Sequence, residues 1–144
     1  MIETSKPSVL FVCVKNSGKS QMAAGLMRKL AADSVDIYSA GTRPAGRVND
    51  LSAESLRELD IDISAERPKP LDAQRVRDVD YVITLGREAY VEPVDGTIFE
   101  TWETDEPSER GIEGIERMRL VRDDIADRVD DLFRRLAAGR RRRL

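Results

Sequence analysis

The chain has 144 residues, among them no histidine and a single cysteine, Cys13. Without histidine, the chain can build neither a Ser-His-Asp triad nor a Cys-His pair, and it has no imidazole for a metal ion. A single cysteine excludes an internal disulfide, and a reducing cytosol would keep the thiol free. If Cys13 is reactive, dipoles and cations must activate it, and a thiol from outside the chain must regenerate it.

Other features are scarce as well. Aromatic residues make up 5% of the chain, which argues against a base-stacking nucleic-acid surface, and a net charge of −3 attracts neither nucleic acid nor an anionic membrane. No apolar stretch approaches the roughly 20 residues of a membrane span, and the N-terminus lacks the apolar core of a signal peptide. We therefore predict no nucleic-acid partner, no membrane association, no metal and a cytoplasmic location.

The composition is that of a globular protein, with 40% hydrophobic and 35% charged residues. The length suits one domain, so we predict a single catalytic domain over residues 1–138. The basic segment 139–144 is predicted to be a solvated, disordered tail. A long final helix is compatible with either a monomer or a homodimer.

Apolar residues alternate between strand-like and helix-like spacing along the chain. The predicted strands are 8–14, 35–39, 61–63, 81–85 and 96–102, and the predicted helices are 21–32, 51–59 with Asp50 as its N-cap, 72–76 and a final helix through 115–136. This order predicts an α/β fold in which helices cover both faces of a parallel sheet. In such sheets ligands bind beyond the C-terminal ends of the strands.

The segment Cys13–Ser20 lies at such a position, between the first strand and the first helix. Converging N–H groups and the positive end of a helix suit a tetrahedral oxyanion, and the same field stabilises a thiolate at Cys13. Lys19 adds a cation, the Ser20 hydroxyl can bond to the sulfur, and Asn16 tolerates the left-handed backbone of a tight loop. The predicted oxyanion ligands are the backbone N–H groups of Val14, Lys15, Asn16, Ser17, Gly18 and Lys19.

Two other interpretations of this loop remain. Gly18-Lys19-Ser20 ends a nucleotide-binding G-x-x-x-x-G-K-[ST] motif, but Cys13 replaces its first glycine. The predicted strand 81–85 is also followed by Gly86 and not by the acid that would hold Mg²⁺. Alternatively, Cys13 is only a small buried hydrophobic residue, as unpaired cysteines often are.

The C-x5-K-S loop, the turn Ser39–Ala45 and the stretch from Trp102 to Ile125 resemble arsenate reductases built on the low-molecular-weight tyrosine phosphatase fold. The segment Gly18–Ala24 is most similar to actinobacterial arsenate–mycothiol transferases. The resemblance implies a three-layer sandwich with a four-stranded parallel sheet, arsenate as substrate and no tightly bound cofactor. It further implies mycothiol as co-substrate and a mycoredoxin-type small redox protein as the downstream partner.

The chain departs from better-known relatives in two ways. A phosphatase of this fold has arginine at position 19, whereas Lys19 lacks the planar bidentate fork. Thioredoxin-coupled arsenate reductases have two further cysteines, which align near Gly86 and Pro93. An external thiol must therefore take the oxidising equivalents or the arsenic itself. A phosphotyrosine phosphatase and a non-enzymatic oxyanion-binding regulatory protein remain the alternative functions.

Loss of an oxygen from arsenate as water needs a proton donor. Relatives of this fold have an acid followed by proline before the last helix, which aligns Glu106 with the acid and leaves Asp105 as the second candidate. Alternatively, both are solvated acids near a helix N-terminus, where negative charge is favourable. Lys15 and Arg87 are the candidate contacts for mycothiol.

Overall fold

The computed structural model describes the backbone of residues 6–142 and the side chains of residues 6–139. Its strands are β1 (Ser8–Cys13), β2 (Asp36–Gly41), β3 (Tyr81–Leu85) and β4 (Ile98–Trp102). Its helices are α1 (Lys19–Ala31), α2 (Asp50–Arg57), α3 (Ala73–Asp78) and α4 (Gly114–Arg142), with a short 3₁₀ helix at Pro107–Arg110. The strands pair in parallel in the order β2-β1-β3-β4, which confirms the predicted α/β fold and its four-stranded sheet.

The central strand β1 supplies both hydrophobic cores. Because side chains alternate across a strand, Val9 and Phe11 face the layer that contains α1 and α4, whereas Leu10 and Val12 face the layer that contains α3. All four are at most 1% exposed. The chain leaves β1 for β2 on one side, and β3 pairs on the other. The C-terminal end of β1, at Cys13, therefore lies at the position where open α/β sheets bind ligands.

The predicted strand 61–63 is wrong. Ile61 and Ile63 are buried, but they pack against α1 at Gly25 and pair with no strand. The N–H of Ile61 instead bonds to the carbonyl of Leu56 at the end of α2. A short alternation of apolar and polar residues indicates that two side chains are buried. It does not distinguish a strand from an extended segment that packs under a helix.

Several helix ends also differ from the prediction. The N-cap of α2 is Asn49 and not Asp50, because Asn49 Oδ1 accepts the N–H of Ser52 at 3.0 Å. Helix α1 begins at Lys19, two residues earlier than predicted. Helix α4 continues to Arg142, so the tail predicted to be disordered from 139 begins inside a helix; residues 143–144 lie outside the described residues. No helix in the described part of the chain is long and apolar enough to cross a membrane.

Candidate active site

The loop after β1 is held from outside through its carbonyl groups. The carbonyl oxygens of Cys13, Val14, Lys15 and Ser17 accept hydrogen bonds from the N–H groups of Thr42, Arg43, Ala45 and Asn49, respectively, at 2.7–3.2 Å. The carbonyl of Asn16 accepts from the Gln21 side chain at 3.2 Å, and that of Gly18 accepts from the N–H of Met22 at 2.9 Å. Every carbonyl from 13 to 18 is therefore engaged.

This arrangement determines where the N–H groups of the loop point. Residues 6–142 contain no cis peptide bond, and across a trans peptide the C=O of one residue and the N–H of the next point in opposite directions. Carbonyls that bond outward thus turn the N–H groups of residues 14–19 toward the inside of the loop. The N–H of Asn16 shows this directly, since it donates to Cys13 Sγ at 3.2 Å. This geometry puts the N–H groups of residues 14–19 on the inner side of the loop, and their role as oxyanion ligands stays a prediction.

Gly41, at the end of β2, is required beneath the loop. A Cβ atom at this position would lie 2.7 Å from the carbonyl oxygen of Val14 and 3.0 Å from the nitrogen of Asn16. Both are backbone atoms, so neither can swing aside. The sequence indicated only a turn at Gly41, whereas the structure shows that its missing side chain lets β2 and the loop approach closely.

The sulfur of Cys13 receives two polar contacts in a buried setting. Ser20 Oγ lies 2.9 Å from Sγ, and the N–H of Asn16 is the second contact. Cys13 is 8% exposed, and Asn16 and Ser20 are fully buried. Asn16 has a φ of 51°, the left-handed conformation that was predicted for it.

A distant backbone group decides which way the Ser20 hydrogen bond runs. The backbone N–H of Lys69 can only donate, and it bonds to Asn16 Oδ1 at 2.9 Å. Asn16 Nδ2 therefore faces Ser20 and donates to its Oγ at 2.7 Å. Ser20 accepts this bond and has its own hydrogen left for Cys13 Sγ. The hydroxyl of Ser20 and the backbone N–H of Asn16 thus both point a hydrogen at the sulfur. Sequence analysis missed Lys69, which lies far along the chain.

The predicted acid Glu106 is ion-paired with an arginine of α4. Arg117 Nε and Nη2 donate to its two carboxylate oxygens at 2.9 and 3.2 Å, and Ser108 Oγ donates at 2.8 Å. These bonds, chiefly the two from Arg117, lower the pKa of Glu106 to about 2, and the positive charge of Lys19 contributes. Glu106 is thus held as a carboxylate, which does not donate a proton at neutral pH.

The second candidate, Asp105, is held in the same manner by an arginine that is more exposed than Arg117. Both of its oxygens accept from Arg110, at 2.8 and 3.0 Å, and this hydrogen bonding lowers its pKa. Its backbone N–H donates to Asp124 Oδ2 at 2.7 Å, which ties the segment to α4. Lys19 contributes to the field at Glu106 but is not among the groups that shift Asp105. The role of either carboxyl as general acid stays a prediction.

The remaining predicted residues lie at the surface near the same edge of the sheet. Lys15 is exposed, and Arg87 is exposed and ion-paired with Glu103. Gly86, at the first position where a second cysteine aligns, has a φ of +95°, and a Cβ there would lie 2.9 Å from Glu88 Oε2. Within the described residues, no group of three or more acidic or cysteine side chains is arranged to hold a metal ion.

The fold and the site define a class of protein. Residues 8–142 match the family model of the low molecular weight phosphotyrosine protein phosphatases, and the chain belongs to that family. Within it, the chain groups with arsenate reductases. It is 33% identical to the glutaredoxin arsenate reductase of Synechocystis over 90% of this chain and 98% of that protein. It is 35% identical to the arsenate reductase of Halalkalibacterium halodurans over 87% of this chain and 94% of that protein.

Solved structures agree with this grouping. A thioredoxin-dependent arsenate reductase from Corynebacterium glutamicum superposes with a TM-score of 0.81 at 33% identity, over 96% of this chain. The present chain spans 65% of that longer protein. An arsenate reductase in a phosphate-binding state gives a TM-score of 0.79 at 32% identity, over 90% of this chain and 98% of that one. A tyrosine phosphatase from Erwinia amylovora, 16% identical, shares the fold.

Proposed function

We propose that this family member reduces arsenate with the help of an external low-molecular-weight thiol, for which mycothiol is our choice. The loop of residues 13–20 binds arsenate through its N–H groups and Lys19. Arsenate and the thiol then condense to a thiolated arsenate, and a mycoredoxin-type protein releases arsenite from that adduct.

One observation carries the proposal: the single cysteine of the chain lies in the anion loop with two hydrogen-bond contacts at its sulfur. An arsenate reductase that finishes the reaction internally needs a further thiol, and this chain has none. At Gly86 the left-handed backbone, with a φ of +95°, disfavours any side chain. The electrons for reduction must therefore come from another molecule.

The chemistry balances without a metal or a bound cofactor. Hydrogen arsenate and a thiol give the thiolated arsenate and one water: an As–S bond forms, an As–O bond breaks, and arsenic stays pentavalent. Cys13 thiolate either attacks the arsenic first or forms part of the oxyanion site. A redoxin thiol then attacks the sulfur of the adduct, so that a mixed disulfide forms and arsenic leaves with two more electrons as arsenite.

Lys19 favours this reaction over hydrolysis of phosphate esters. A phosphoryl transition state gains from a planar guanidinium that bonds two oxygens at once, and an ammonium group acts only as a point charge. The family description nonetheless makes a phosphotyrosine phosphatase the second candidate. The N–H cradle serves a phosphate and an arsenate equally well, so the two functions differ in the acceptor and not in the anion site.

The deciding experiment measures arsenite formed by the purified protein from arsenate, with mycothiol and a mycoredoxin, glutathione and a glutaredoxin, or thioredoxin as separate thiol systems. We expect turnover with mycothiol and its redoxin, and none when the thiol is omitted. Turnover with another thiol system would support arsenate reduction but show that mycothiol is not the co-substrate. Absence of arsenite in every arm, with p-nitrophenyl phosphate hydrolysed at roughly 1 s⁻¹ or more, would identify a phosphatase. Arsenate binding without any turnover would identify a binding protein.

A further inference from the structure

We propose that Arg117 is a positioning residue for proton delivery: an oxyanion in the loop draws Arg117 away from Glu106, and Glu106 then takes up the proton that it passes to the departing oxygen. The inference rests on the proposed function, in which an oxygen of arsenate leaves as water. In this inference, one arginine of α4 links the binding of substrate to the protonation of the general acid.

The geometry of the pair is the first argument. The Arg117 guanidinium spans both oxygens of Glu106, and the two side chains are 29% and 32% exposed. A bidentate pair of this kind is strong when partly shielded from water. As long as it persists, Glu106 has no proton to give. The residue that aligns with the acid of the fold is therefore blocked by its own partner.

The position of the pair beside the loop is the second argument. Ser52 Oγ lies against the loop, 3.3 Å from where a Cβ at Gly18 would be, and it bonds to Met118 Sδ of α4 at 3.6 Å, so the N-terminal part of α4 lies next to the loop. The charges that act on the Glu106 carboxylate are Arg117 and, more weakly, Lys19, and Glu113 acts on Arg117. Lys19 is also the loop cation, so an oxyanion bound there brings about two negative charges next to the Glu106–Arg117 pair. This charge repels the Glu106 carboxylate and attracts the guanidinium. Both effects favour the protonated form of Glu106.

The identity of residue 19 is the third argument. Lys19 cannot give an oxyanion a two-point contact, whereas the guanidinium of Arg117, once released from Glu106, has the planar fork for one. A single movement then supplies the missing fork and frees the acid. In the chemical step the As–O bond breaks, the departing oxygen takes the proton of Glu106, and the water leaves. The proton of the incoming thiol replaces the one consumed, so the cycle balances.

Proton uptake upon sulfate binding tests the inference without requiring turnover. Sulfate is inert and keeps its charge between roughly pH 5 and roughly pH 7, so calorimetric titrations in buffers of different ionisation enthalpy report protons taken up by the protein alone. We expect net uptake by the wild type that grows toward the lower pH. Glu106→Gln should abolish it, and Arg117→Gln should reduce it because Glu106 is then partly protonated beforehand. Equal uptake by the wild type and Glu106→Gln would overturn the inference.

Two further arginines serve as controls. Arg119→Gln breaks another bidentate pair of α4, with Glu58, and should leave proton uptake and arsenate turnover unchanged. Arg110→Gln frees Asp105, and a loss of uptake in this variant comparable to that in Arg117→Gln would transfer the role to Asp105 and overturn the proposal.

Measurements of arsenate turnover distinguish a failure of this inference from a failure of the proposed function. Arg117→Gln should lower kcat by roughly tenfold or more, and Arg117→Lys, which keeps the charge, should recover part of that loss. Arsenate reduction with wild-type kcat in Arg117→Gln would refute the role of Arg117 while the function stands. If arsenate is not a substrate, the sulfate measurement still decides whether oxyanion binding loads Glu106 with a proton.

Discussion

The two loops that build the site are stabilised in different ways. The loop of residues 13–20 is held by backbone hydrogen bonds and by a buried network through Asn16, whereas the segment of Asp105 and Glu106 is held by two arginine pairs that are partly open to water. Hydrogen bonds between neutral backbone groups respond weakly to a change of local charge, whereas ion pairs respond strongly. Under the proposed function, the first loop is thus prepared for an anion in advance, and the second responds when one arrives.

The largest expected effect comes from removing the sulfur of the prepared loop. Cys13→Ser should abolish arsenate turnover, a loss of roughly 10³-fold or more, because no other thiol in the chain can replace it. The variant should still bind sulfate, since the N–H cradle does not depend on the sulfur. The arsenite assay checks the loss of turnover, and a sulfate titration checks that binding is retained. Retained turnover would show that mycothiol attacks arsenate without Cys13.

A backbone clash is the next test of the prepared loop. Gly41→Ala should destabilise the protein by about 1–3 kcal/mol and weaken oxyanion binding, because its Cβ would meet two backbone atoms of the loop. Gly46→Ala is the matched control, since a Cβ there meets nothing within 4 Å. Urea unfolding and sulfate titration of both variants give the comparison. Equal behaviour of the two would contradict the tight contact of β2 with the loop.

Lys19→Arg sharpens the distinction between an arsenate site and a phosphate-ester site. The planar fork should raise hydrolysis of p-nitrophenyl phosphate, by about tenfold if two-point contact adds roughly 1.4 kcal/mol in the transition state. Arsenite formation should gain less, because the thiol and not water must reach the arsenic. The two activities are measured side by side on the same preparation. An unchanged hydrolysis rate would remove Lys19 as the reason for poor phosphatase activity.

The smallest effect concerns the responsive loop and the pH dependence of stability. Arg117 above all, with Ser108 and Lys19, lowers the pKa of Glu106 from 4.5 to about 2, so these contacts stabilise the fold above pH 4.5 and lose their contribution as the pH falls toward 2. Acid unfolding should therefore begin at a higher pH when the pair is absent. Comparison of the free energy of unfolding of the wild type and Arg117→Gln at several pH values measures the difference. A constant difference from neutral pH down to pH 2 would contradict the linkage.

Structural features that depend on neighbouring residues were predicted better than features that depend on which distant segments pack together. Apolar runs such as Val9–Val12 and Tyr81–Leu85 predicted buried strands, since a strand inside a parallel sheet needs hydrophobic residues on both faces. The alternation at Ile61 and Ile63 was misleading because burial under α1 and burial in a sheet require the same side chains. The cap of α2 was placed one residue late, at Asp50, although neighbouring Asn49 caps equally well.

The sequence by itself determined the chemistry of the anion loop: one thiol, one cation, one hydroxyl and a run of backbone N–H groups within eight residues. Such a motif is local, so spacing along the chain is enough to read it. Only the tertiary structure decided that the N–H of Lys69 orients Asn16 and thereby Ser20 toward the sulfur. It also decided that Arg117 pairs with Glu106. Both depend on groups that meet through folding, and a hydrogen bond or an ion pair is set by distance in space.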